Sequence, residues 1–165
     1  MKLENLRDLF FQNIMDLYST ETQTLDFFPL IIAKVNDARL KEVLETHVKQ
    51  TQNQRDRLEE ICEKLDLDPD DKFSKAAESL LKDLKEWLMQ DATPELLDAG
   101  IIALVQKLEH YEIAGYGTAK TFASHLEETD VKGLLELTLN EEKEYDGLLT
   151  QIAESSVNQK AETRV

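Results

Sequence analysis

Every long amphipathic segment of this chain breaks its apolar stripe with polar groups at about the same depth. In the first, Ile14, Leu17, Leu25 and Phe28 continue a helical stripe in which Glu21 occupies an interior step. In the second, Leu40, Val43 and Leu44 lead into His47, Gln50, Thr51 and Gln54 before Leu58, Ile61 and Leu65 resume. In the third, Ile101, Val105 and Leu108 meet Glu109 and Glu112 before Tyr116. In the fourth, Leu135 and Leu139 precede Glu142, and Leu149 and Ile152 follow. Residues three or four apart on a helix share a face, so four helices are expected to send polar groups into one interior. An unpaired buried carboxylate is very costly. Several in one core call for a cation, and a metal ion is the usual one.

The rest of the sequence is consistent with one helical domain. The chain has 165 residues, of which only 5 are Gly and 3 are Pro. That length supports a single core, and scarce punctuation favours long helices over sheet. The 34 acids against 19 Lys and Arg give a net charge of -15, which argues against nucleic acid and anionic membranes as partners and suits metal cations. Cys62 is the single cysteine, which fits a reducing compartment and a small buried side chain. The opening MKLENLRDLFFQ has no apolar core of a secretory signal. The longest apolar run, Phe27 to Ala33, is far short of the ~20 residues of a membrane helix. The expectation is a cytoplasmic protein.

The periodicity predicts long helices at about 3–35, 38–65, 94–125 and 131–155, with a kink near Leu25 caused by Pro29. A shorter helix is expected at about 75–90, capped by Ser74, and Thr93-Pro94-Glu95 reads as a helix start. The tail from residue 157 is expected to pack loosely outside a bundle domain ending near 156. Helices one and two are joined tightly, as are three and four, while some thirty residues separate two from three. Two hairpins joined by one long crossover is the connectivity of ferritin-like bundles. The expected fold is therefore all-α, a ferritin-like four-helix bundle with an additional crossover helix. Trp87 and Leu88 on that helix are candidates to pack across a dimer.

In an antiparallel hairpin, residues equally far from the turn face each other. This places Glu21 opposite Gln50 and Glu112 opposite Glu142. The expected metal-ligating set is Glu21, His47, Gln50, Glu109, Glu112 and Glu142. Carboxylates with an imidazole suit iron or manganese. Asp146 is a further ligand candidate. His110 and His125 are expected at the surface, and Tyr18, Tyr116 and Tyr145 as packing and hydrogen-bonding partners.

QKLEHYEIAGYGT at Gln106–Thr118 resembles the hallmark segment of the YciE/YciF family of small bacterial ferritin-like stress proteins. MDLYSTETQ at Met15–Gln23 and LNEEKEYDGLL at Leu139–Leu149 resemble that family's first- and last-helix segments, and the likeness spans nearly the whole chain. The resemblance implies a rubrerythrin-like fold, a centre of two iron or manganese ions held by Glu21, His47, Glu109, Glu112 and Glu142, and a homodimer. The family usually carries an acid where this chain has Gln50. Two function classes follow. One is an oxidoreductase handling oxygen, peroxide or ferrous iron. The other is a non-catalytic stress or assembly protein whose metal site is degenerate, which the neutral Gln50 favours.

Overall fold

A computed structural model describes residues 3–162, and among them the secondary structure is helical throughout, with no strand. Helix α1 spans Leu6–Ile32, α2 Ala38–Leu65, α3 Lys75–Trp87, α4 Pro94–His125 and α5 Thr129–Ile152. A π turn at Ala153–Val157 then leads into the short α6, Asn158–Glu162. Helices α1 and α2 form one hairpin and α4 and α5 the other. Helix α1 lies against α4, α2 lies against α5, and α3 crosses over α1 and α4. This is the all-α bundle with one crossover that the connection lengths imply.

Local chemistry sets the helix ends. Asn5 caps α1 in a reciprocal capping box with Asp8, so the helix starts at Leu6 and leaves Leu3 outside it and half exposed. The helix then runs through Pro29 to Ile32. Asp37 caps α2, accepting from the Arg39 and Leu40 amides at 3.0 and 3.1 Å. The α1–α2 connection is also fixed from across the bundle. Buried Asp98 on α4 accepts from the backbone amides of Asn36 at 2.9 Å and Asp37 at 2.7 Å. The α4–α5 turn closes through Glu127, whose φ of 62° lies in the left-handed region.

The hydrophobic interior is divided in two. One half contains Phe28, Leu40, Leu44, Ile101, Leu108 and Leu149. The other contains Phe10, Leu17, Leu58, Tyr116, Leu135 and Leu139. On each of the four long helices the residues between these halves include the polar groups singled out above. Antiparallel pairing keeps the layers in register, because each helix meets the two halves in the opposite order to its hairpin partner.

Two expectations are corrected. Trp87 is partly buried rather than exposed. Its indole lies against Gly100 and donates to the Leu97 carbonyl at 3.1 Å, so it anchors α3 onto α4 within one chain. Leu88 is half-buried in the same core half. Both residues thus spend much of their apolar surface within one chain. The chain beyond residue 156 also stays packed. Val157 is buried in the core, and Lys160 donates to Asp37 at 2.8 Å. The π turn supplies the change of register that brings Val157 inward. Residues 163–165 of the expected loose tail lie outside the described residues.

Gly100 tests this packing. A Cβ there would meet Trp87 ring atoms at 2.0–2.3 Å. Gly100→Ala should therefore destabilise the protein by about 1–3 kcal/mol, despite the better helix propensity of Ala. Urea unfolding followed by tryptophan fluorescence measures this, and a stabilised variant would contradict the packing.

Candidate metal centre

Five of the expected ligands converge in the polar layer. Glu21, His47, Glu109, Glu112 and Glu142 are each no more than 2% exposed. The helical period brings them there. Glu21 follows Leu17 by one turn on α1, Glu109 and Glu112 bracket one turn of α4, and Glu142 follows Leu139 on α5. One ligand atom each from His47, Glu109 and Glu142 lies within 4.8 Å of the others. His47 Nε2 stands 3.7 Å from Glu109 Oε1, too far for a hydrogen bond. Glu21 lies outside that trio, and the Tyr116 hydroxyl donates to its Oε1.

Gln50 falls elsewhere. It is half-buried, lies one turn from His47 on α2 and lines a surface cleft. Gln54, one turn further along α2, takes the interior position and donates to Glu142 Oε1 and, at 3.2 Å, to Glu141. The hairpin register explains the difference. Phe28 lies beside His47 and Tyr18 bonds Glu59 at 3.0 Å, which sets Glu21 level with Gln54 rather than Gln50. Counting from the turn was one helical turn out, because the helices are staggered. Gln54 belongs to the polar run of α2, but its distance from the turn does not single it out. Asp146 also turns away, accepting from Gln106 at 3.0 Å and facing the exposed His110 at 3.4 Å.

The polar atoms of the layer are largely unmatched. Both oxygens of Glu112 and Nδ1 of His47 have no hydrogen-bond partner among the described residues, and Glu109 has no donor other than the neighbouring acid Glu142. Buried polar groups are normally paired, so this donor set fits a cation. The nearest fixed positive charge is Arg57, but Glu141 already holds it in a two-pronged pair at 2.6 and 2.8 Å. Oxygen donors with one imidazole suit iron or manganese, and four carboxylates would balance the charge of two divalent ions.

Burial and mutual repulsion push these carboxyl groups up. Desolvation, then the charge of Glu142, raises Glu21 well above the usual carboxylate range. Desolvation with the charges of Glu142 and Glu112 does the same for Glu109, and desolvation with Glu21 for Glu112. Glu142 is also raised by burial, against which hydrogen bonds with Glu109 and then Gln54 act. Burial lowers His47 to about 3. Its ring stacks on Tyr145 at 3.6 Å with the planes 1° apart. Cys62 is buried, and desolvation raises its thiol to about 11, so it is inert.

Comparison with known proteins agrees with this architecture. Residues 5–162 match the family model described as a domain of unknown function, DUF892. The chain belongs to the DUF892 family. This member is 33% identical over 165 residues to the protein YciF of Escherichia coli K12, covering 99% of both chains. The crystal structure of the E. coli stress protein YciF matches with a TM-score of 0.91 at 32% identity, over 95% of this chain and 99% of that one. YcfI of Rhodopseudomonas palustris matches with a TM-score of 0.89 at 33% identity, over 92% and 97%. A Xanthomonas campestris protein at 21% identity shares the fold with a TM-score of 0.74. Among the described residues of this DUF892 chain, no helix is long and apolar enough to cross a membrane.

The shifted groups set a pH dependence. An acid whose folded value is raised binds more protons folded than unfolded, so metal-free stability rises as pH falls toward the ordinary 4.5. Each such carboxyl contributes up to about 1.4 kcal/mol per pH unit in that window. His47 opposes this only between its ordinary 6.5 and about 3. Metal-stripped protein should therefore melt higher at pH 6.5 than at pH 8, and Glu109→Gln with Glu112→Gln should flatten that slope. Scanning calorimetry at the two pH values reads it. A metal-free protein that melts lower at pH 6.5 would contradict the buried-acid geometry.

Proposed function

We propose that this chain is a bacterial ferritin-like stress protein whose polar layer holds two iron or manganese ions and acts as an oxidoreductase on oxygen, peroxide or ferrous iron. The observation that carries this reading is the cluster of buried carboxyl groups of Glu109, Glu112 and Glu142, which no basic side chain reaches, beside an unmatched His47 nitrogen, all inside the bundle. The stress role rests on the name given to the E. coli relative.

His47, Glu109 and Glu142 would hold one ion and Glu21 and Glu112 the other. Glu142 suits a shared position, since its charge acts on Glu21, Glu109 and Glu112 alike. The bound metals supply redox equivalents and Lewis acidity. The protein's own groups do the rest. Tyr116 orients Glu21 through its hydroxyl, and Gln54 orients Glu142. Arg57 fixes Glu141, which in turn receives the Gln54 amide, so the outer partners form one connected support. Phe28, Leu108 and Leu17 close the layer from both core halves and exclude water. Carboxyl groups that are protonated without metal must release their protons as ions bind, so affinity should fall with pH.

A second reading is a structural site for one ion, without catalysis. The three-residue convergence of His47, Glu109 and Glu142 favours it, because Glu21 is already engaged by Tyr116. Metal stoichiometry separates the two. Protein purified without chelator and reloaded anaerobically with ferrous iron should hold about two ions per chain and consume oxygen on exposure. Glu112→Ala should lower the content to about one, and Tyr116→Phe should weaken binding about 10–100-fold as loss of an orienting partner does. One ion per chain in the wild type, unaffected by Glu112→Ala, would favour the structural site. No bound metal would overturn both readings.

A further inference from the structure

The buried ligands have no direct exposure to solvent, so an ion must cross the protein wall to reach them. A cleft of about 440 Å³ opens between α2 and α5, lined by Glu42, Thr46, Gln50, Glu144, Tyr145 and Leu148 among others. One of these residues also touches the centre, and a second lies one turn from it. The Tyr145 ring stacks face to face on His47 at 3.6 Å, and its hydroxyl has no hydrogen-bond partner among the described residues. Its phenol lies close enough to Glu109, Glu142 and Glu112 to feel their charge. Gln50, one turn from His47 on α2, lines the same cleft. One layer of side chains therefore separates this cleft from the donor cluster.

We propose that the α2–α5 cleft is the route by which divalent cations reach the buried centre, with Gln50 and Tyr145 as its gate and Glu42 and Glu144 at its mouth. The proposal rests on the metal-binding reading of the layer. The gate groups suit passage. Tyr145 is held by stacking and packing, so its ring can swing without breaking a hydrogen bond. Gln50 offers a neutral amide oxygen, which can replace a water on a passing cation without retaining it as a carboxylate would. At the rim, the exposed Glu42 and Glu144 outnumber Arg39, whose guanidinium reaches Ser155 at 3.4 Å. The rim is thus negative, and it would raise the local cation concentration.

Cobalt(II) is the probe, because its ligand-field absorption reports binding without any turnover. Stopped-flow association of cobalt(II) with the metal-stripped full chain is compared across variants. Leu148→Trp and Thr46→Trp fill the cleft from opposite walls, each at an exposed position. Leu137→Trp, also exposed on α5 but absent from the cleft lining, is the control. Both cleft variants should associate at least about tenfold more slowly, with equilibrium affinity nearly unchanged because dissociation slows equally. The control should match the wild type. Glu42→Gln with Glu144→Gln should slow association and reduce its dependence on salt. Should one tryptophan variant fail to fold by circular dichroism, the other still carries the test. Normal cobalt(II) binding with unchanged association rates in the cleft variants would overturn the route and leave the centre standing. A wild type that shows no cobalt(II) spectrum at saturating metal would overturn the centre and the route together.

Discussion

Like-charged carboxyl groups sharing one dry layer are the constraint on which the rest of this molecule depends. An ionised carboxylate buried without a partner costs several kcal/mol, and a domain of this size has only about 5–15 kcal/mol of stability in total. Glu21, Glu109, Glu112 and Glu142 therefore cannot all stay ionised unless a counter-charge joins them. Arg57 is too committed to Glu141 to serve all four. The layer must take up either protons or metal ions. The two alternatives compete, which couples folding, pH and metal content in one equilibrium.

The bundle is built to tolerate this layer. The two apolar core halves lie on either side of it, so the cost of the polar groups is confined to one level and offset by packing above and below. Orientation comes from outside the ligand set. Tyr116 holds Glu21 from α4 to α1, and Gln54 and Arg57 tie α2 to the Glu141–Glu142 step of α5. The crossover is tied in by polar contacts of its own. The Tyr111 hydroxyl donates to Asp16 and lies 3.2 Å from Ser74 Oγ, and the Ser74 amide donates to Ser19 at 2.9 Å. These contacts fix α3 against the hairpins and leave the centre undisturbed.

Much of this was legible in the sequence because helical period and charge act locally. The stripes of α1, α2, α4 and α5 located the buried acids, and the connection lengths implied the hairpin-crossover-hairpin order. What escaped depended on tertiary geometry. Helix stagger decides that Gln54 rather than Gln50 faces Glu142, and counting from a turn cannot see stagger. Leu25 is only half-buried while Thr24 faces inward, since an interior stripe drifts with the helix it packs against. Asp98 has no sequence signal of its role, which is to accept from the two amides of the α1–α2 connection. Trp87 reads as exposed until Gly100 supplies the flat surface that receives it. Val157 reads as tail because the π turn that redirects it has no sequence signal.

The protonation state of the buried carboxyl groups tests the central claim most directly. Infrared difference spectroscopy of the metal-stripped protein at neutral pH should show the C=O stretch of protonated, desolvated carboxylic acids. Adding manganese(II) should abolish that band and replace it with the stretches of metal-bound carboxylate, in proportion to the ions taken up. A metal-stripped protein with no protonated-carboxyl band, and no change in the carboxylate region when manganese(II) is added, would contradict the account.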